Sequence, residues 1–134
     1  MKSTLLFIGG LLGRATAQTF EEYEYLQFPA NGMSCLYDPN PDPALETYTN
    51  FTTLEMEQLA YEFKDVEPYD PSAANVASGK CTWLAGVPFY WIGNNQLYSF
   101  TFAVDHTKND IYFCGAIGQG VPVGSNWPAP CTYN

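Results

Sequence analysis

Residues 97–117 read "LYSFTFAVDHTKNDIYFCGAI", and the plan of the chain follows from how they alternate. Successive side chains of a strand point to opposite faces. Tyr98, Phe100, Phe102 and Val104 therefore fall on one side, and Ser99, Thr101 and Ala103 on the other. The pattern predicts a half-buried strand. Asp105 to Asn109 form a polar turn, and "DIYFCGAI" (110–117) returns as the hairpin partner. Upstream, "CTWL" (81–84) and "VPFYWI" (87–92) read as two more strands, parted by Ala85-Gly86 and closed by Gly93-Asn94-Asn95.

A sheet with one apolar face needs a cover, and the chain supplies one helix. Thr52 and Glu55 form a capping box, with Phe51 and Met56 in the two positions of a hydrophobic staple. Met56, Leu59, Ala60 and Phe63 follow at helical spacing and make one apolar stripe. Pro68 blocks any continuation, so the helix is expected over 53–64. Before it, "FEEYEYLQF" (20–28) reads as an edge strand and Met33 to Tyr37 as a second short strand. Pro39, Pro41 and Pro43 make "DPNPDPALE" (38–46) an extended loop. After Ile117 the glycines and prolines predict coil tied down by Cys131. The expectation is an α+β fold, with one α-helix packed on an antiparallel β-sheet.

The start, "MKSTLLFIGGLLGRATAQ", has the layout of a secretory signal over 1–17, leaving 18–134 as a single secreted domain. Its apolar core is too short to span a bilayer, so no membrane association is expected. Losing Lys2 and Arg14 takes the net charge from −9 to about −11 and leaves three lysines and no arginine. That balance repels phosphate backbones and excludes general nucleic-acid binding. Four cysteines, Cys35, Cys81, Cys114 and Cys131, are spaced too widely for a zinc site. In an exported chain they predict two disulfides, with three pairings open. Asn50-Phe51-Thr52 is a glycosylation acceptor at Asn50.

Candidate reactive residues are sparse. His106 is the only histidine and sits within the polar turn "DHTKND". Asp38, Asn40 and Asp42 open like a calcium loop, but Pro43 stands where the loop turns on Gly and Thr49 where Glu closes it. They read as an acidic surface loop, and neither a metal nor a cofactor is expected. Glu21, Glu22 and Glu24 are candidates for a hydrolytic carboxylate, although fourteen acids make carboxyl pairs available by chance, and Glu55 is a cap. Aromatics make up 16% of the chain, more than a core of this size needs, so some are expected on a binding face.

With these elements placed, their order resembles that of the small secreted fungal guanyl-specific ribonucleases. It is similar also to the catalytically silent ribonuclease-like effectors of plant-pathogenic fungi. The resemblance covers roughly 33–131. It rests on Cys35 after a short strand, Tyr48-Thr49 before the helix, and the strand Pro88-Phe89-Tyr90-Trp91. It continues through Asn109-Asp110-Ile111-Tyr112, the corner Gly115-Ala116-Ile117, and Gly124-Ser125-Asn126 before Cys131.

The resemblance implies a microbial-ribonuclease-like fold and the pairing Cys35–Cys131, which leaves Cys81–Cys114. It also marks what is missing. The position of the family's Glu base falls near Trp91, and that of its His acid on Gln119. Asn109-Asp110 stands where the family has Asp-Arg, and "PYDPSAAN" (68–75) lacks the upstream histidine. Cleaving RNA through its 2′-hydroxyl needs a base, an acid and positive charge at the phosphoryl group. The expected function is therefore a secreted, monomeric, effector-like binding protein acting on a host protein. Tyr90, Trp91, Gln119 and Trp127 form its expected binding face. The other two readings are a carbohydrate-binding or wall-associated module using exposed aromatics, and a small hydrolase.

Overall fold

The computed structural model describes residues 19–94 and 96–134; the expected signal segment lies outside them. Among the described residues the strands are β1 (Glu24–Leu26), β2 (Met33–Asp38), β3 (Thr47–Phe51), β4 (Phe89–Asn94), β5 (Leu97–Asp105), β6 (Asp110–Gly118) and β7 (Thr132–Tyr133). One α-helix, α1 (Thr53–Phe63), follows β3. The larger sheet has the order β1-β6-β5-β4, antiparallel except where β1 runs parallel to β6. The smaller has the order β3-β2-β7 and is antiparallel throughout. The fold is α+β, with one helix on antiparallel-rich sheets.

The helix forms where its local signals place it, ending one residue early. The Glu55 N–H donates to Thr52 Oγ1 at 3.1 Å, and Glu55 Oε1 accepts from the Thr52 N–H at 2.8 Å. Met56 and Ala60 are buried, and Leu59 and Phe63 pack beside them. They meet Phe100, Phe102, Val104, Ile111 and Phe113 of the larger sheet and Met33 and Cys35 of the smaller one. This is the main core.

β5 departs from its expected half-burial, because it is covered on both faces. Phe100, Phe102 and Val104 enter the main core, whereas Ala103 joins a second core of Ala73, Cys81, Leu84, Phe89, Tyr112 and Cys114. That second cover is the irregular segment 66–88. Tyr98, expected to face inward with the phenylalanines, is 51% exposed, and Leu97 is buried instead. Here β5 carries one more residue than β6 between Leu97↔Gly118 and Ser99↔Ile117, which interrupts the alternation. A second shift leaves Cys114 without a register partner.

Other expectations change for equally local reasons. "CTWL" is not a strand: Gly79–Cys81 is a 3₁₀ turn, continued by Leu84 N–H donating to Cys81 O at 3.0 Å. Gly79 sits at φ +58, and a Cβ there would strike the Cys114 carbonyl, so the turn presses onto β6. Of 20–28 only Glu24–Leu26 is a strand, although it does form the sheet edge. Thr47–Phe51, expected only as the lead into the helix, is a strand paired to β2 from Met33↔Phe51 to Asp38↔Thr47. The tail is not all coil, since Thr132 and Tyr133 pair with β2.

Both disulfides form as the resemblance implied, Cys35–Cys131 and Cys81–Cys114. The first spans 96 residues and joins β2 to the end of the tail; the second joins the 3₁₀ turn to β6.

Two outcomes follow. Thr52→Ala should lower stability by about 0.5–2 kcal/mol through loss of the cap. Asn50→Gln should leave it nearly unchanged, and denaturant melts of both variants separate capping from loss of the glycan acceptor. Replacing Cys35 and Cys131 together by Ser should cost about 4–5 kcal/mol on the chain-entropy view. Hydrogen exchange should then show the tail opening first.

Candidate functional site

The face of the larger sheet that turns away from α1 is only partly covered by segment 66–88. The rest is an open cleft of about 410 Å³. β5 and β6 supply its floor with Ser99, Thr101 and Gly115. β4 gives Phe89 and Trp91, the 3₁₀ turn gives Gly79 and Lys80, and the tail gives Pro130 and Tyr133. The disulfides hold two of these walls. Cys81 follows Lys80 and is bonded to β6, and Cys131 follows Pro130 and is bonded to β2.

The cleft is mostly apolar, with a few polar groups converging on it, as small-ligand and peptide sites commonly are. Lys80 is the only lining residue with a formal charge at neutral pH. Its ammonium lies 5.0 Å from the centre of the Tyr133 ring, and among the described residues it makes no ion pair. The Tyr133 hydroxyl accepts from the Ala116 N–H at 3.2 Å, and Thr101 Oγ1 donates to Gly115 O at 3.0 Å. Ser99 is only 2% exposed yet lies on the cleft floor. Neither a carboxylate nor an imidazole lines the cleft.

Of the four residues expected to form a binding face, only Trp91 lines the cleft. Its ring also contacts Tyr69 and Tyr98, at centroid distances of 5.3 and 6.4 Å. Tyr90 points the other way. It is 2% exposed, stacked 5.0 Å from Phe102 in the main core, with its hydroxyl 2.8 Å from His106 Nε2. Neighbours on a strand take opposite faces, so Tyr90 and Trp91 cannot share one. Gln119 is exposed outside the cleft, donating from Nε2 to Asn94 O at 2.8 Å. Trp127 is 75% exposed in the tail and also lies outside the lining.

The remaining candidates have structural surroundings. His106 is exposed in the β5–β6 turn. Asn40 Oδ1 accepts from the Asp42 N–H, and Asp42 Oδ1 from the Ala44 N–H, so these side chains close turns. Glu21, Glu22 and Glu24 gather with Lys108 and Asp110 around a separate open depression of about 390 Å³, away from the cleft. Asn50 is exposed on β3, its Oδ1 accepting from Ser34 Oγ at 2.7 Å. Sequence reasoning missed Lys80 and Tyr133. Each adjoins, or nearly adjoins, a disulfide cysteine, and that adjacency was the available signal.

No family model, no curated protein and no solved structure matches the chain.

The cleft and the core behind it titrate in the alkaline range. Burial pushes the Tyr133 phenol above its ordinary value, against a smaller downward pull from the Ala116 N–H. Burial raises Tyr90 as well, helped by the negative charge of Asp65. A phenol whose folded value is raised contributes stability fully present below the unfolded value and lost as pH rises through the folded one. The thermal midpoint should therefore fall above about pH 10. Tyr133→Phe should flatten that fall, as melts between pH 8 and 11 would check.

Proposed function

We propose that this chain is a secreted binding protein without catalysis, a ribonuclease-like scaffold that acts by occupying a host protein in the manner of the silent fungal effectors. The chemistry of the cleft carries this reading. A site that cleaves RNA needs a general base, a general acid and cationic stabilisation of the phosphoryl group. The cleft offers one ammonium, the three aliphatic hydroxyls of Ser78, Ser99 and Thr101, and a phenol too basic to shed its proton at neutral pH. No carboxylate lines it, and Glu21, Glu22, Glu24 and Asp110 gather elsewhere, at the β1 edge.

Three further features support it. A short strand carrying Cys35, then a helix, then an antiparallel sheet, with a disulfide from the tail to that strand, is the arrangement the resemblance implies. Two disulfides suit an oxidising compartment. Among the described residues no helix is long and apolar enough to cross a membrane. The exposed rings of Trp83, Trp91 and Trp127 keep the carbohydrate-binding reading in view, and retention on insoluble glucan or chitin would favour it instead.

The protein should leave RNA intact at any pH between about 5 and 8, because neither a carboxylate nor an imidazole lines the cleft to act as general base or acid. Electrophoresis of a structured RNA after prolonged incubation checks this. Specific turnover that disappears on changing Glu55, Asp110 or His106 would overturn the reading.

A further inference from the structure

β4 is the last strand of its sheet, and among the described residues only its first residue has a main-chain partner on the outer side. The Phe89 N–H donates to Asp70 O at 2.8 Å, and its carbonyl accepts from the Tyr69 N–H at 2.8 Å and the Asp70 N–H at 3.2 Å. Those groups point away from β5. Backbone direction alternates along an antiparallel strand. Tyr90 and Ile92 therefore bond inward, and Trp91 presents its N–H and C=O to the outside. Among the described residues nothing pairs with Trp91 there.

Sheet edges are ordinarily guarded by charge, proline or a bulge. The opposite edge has such a guard: β1 begins at Glu24, with Glu21 and Glu22 just ahead of it. On β4 such guards stand only at the two ends, Pro88 before it and a register shift between Ile92 and Asn94; no charged residue occurs between Lys80 and Asp105, and Trp91 at its middle is unguarded. Its edge instead carries Trp91, whose ring contacts Tyr69 of the preceding segment and Tyr98 of β5; the three are 44, 60 and 51% exposed. Main-chain donors and acceptors flanked by side-chain contacts are what strand addition uses.

Charge decides the occupant. The chain carries −9, and the segment leading to the Asp70–Phe89 bridge includes Glu67 and Asp70. A second copy would bring like charge against like charge. Exposed aromatic rings beside carboxylates attract cations. We propose that the outer edge of β4 docks an extended, basic peptide segment of a partner protein. The segment pairs with Trp91 as a fifth strand and lays Arg or Lys side chains on Tyr69, Trp91 and Tyr98. This deepens the binding-protein reading and rests on it.

The test uses the full ¹⁵N-labelled chain and two synthetic peptides of about ten residues. One alternates Arg with Val and Thr; the other carries Glu in place of Arg. In the free chain the Trp91 amide should exchange at least about tenfold faster than those of Tyr90 and Ile92. The Arg peptide should slow it by about tenfold or more, less so at high salt, and the Glu peptide should not. Trp91→Ala keeps the donor and loses the ring, so binding should weaken about 2- to 5-fold while position 91 remains protected. Trp91→Pro removes the donor at a place where edge strands tolerate proline, and should abolish binding. The proposal is overturned by a Trp91 amide already protected in the free monomer, by no response to the Arg peptide, or by equal response to both peptides. Arg-peptide binding that survives Trp91→Pro, or a concentration-dependent dimer that accounts for protection at position 91, overturns it too. The free-chain exchange and Trp91→Ala keep the test decisive if Trp91→Pro does not fold. RNA cleavage would remove the non-catalytic reading and leave this edge test standing.

Discussion

Two-sided burial of β5 is the constraint on which the rest depends. A strand with large rings on one face and small side chains on the other needs two different covers. Phe100, Phe102 and Val104 demand volume and receive the helix stripe and the smaller sheet. Ser99, Thr101 and Ala103 leave a shallow opposite face, and only Ala103 is sealed into a core there. The stretch of floor left open by segment 66–88 becomes the cleft. The cleft is thus the unsealed remainder of the second core, and its small floor residues are the reason it is concave.

Legibility in the sequence followed the range of the interaction. The helix was readable because its cap and stripe lie within a dozen residues of one another. The polar turn at His106 was readable for the same reason. The strand β3 was not, since Thr47–Phe51 gains its conformation by pairing with β2 rather than from a marked alternation of its own. Segment 81–84 misled because Cys, Thr, Trp and Leu suit a strand, whereas the positive φ of Gly79 and the bond to Cys114 wind it into turns. Tyr98 misled because one extra residue on β5 reverses the parity of everything beyond it.

The candidate site was less legible than the fold. Trp91 could be named but its face could not, because the strand places two aromatics side by side and either parity looks apolar. Tyr90 then proved to be the core member of the pair. Lys80 and Tyr133 reach the cleft through disulfides that span 33 and 96 residues, distances at which local patterns carry no signal. Lys80 matters as the cation of a cleft whose surroundings are otherwise acidic or uncharged.

The Gly-rich corner after Ile117 binds the two sheets closely. Gly118 lies where any Cβ would run into the Leu36 backbone, and the Gly120 N–H donates to Leu36 O at 2.9 Å. β2 therefore crosses the end of β6 at main-chain contact, with no side-chain layer between them to yield. Cys35, next to that crossing, carries the disulfide to the tail. With the bridge intact, the smaller sheet cannot separate from the larger without breaking the crossing and the main core together. The two sheets thus form a single cooperative unit, and the slowest-exchanging amides of β2, β5 and β6 share one opening free energy.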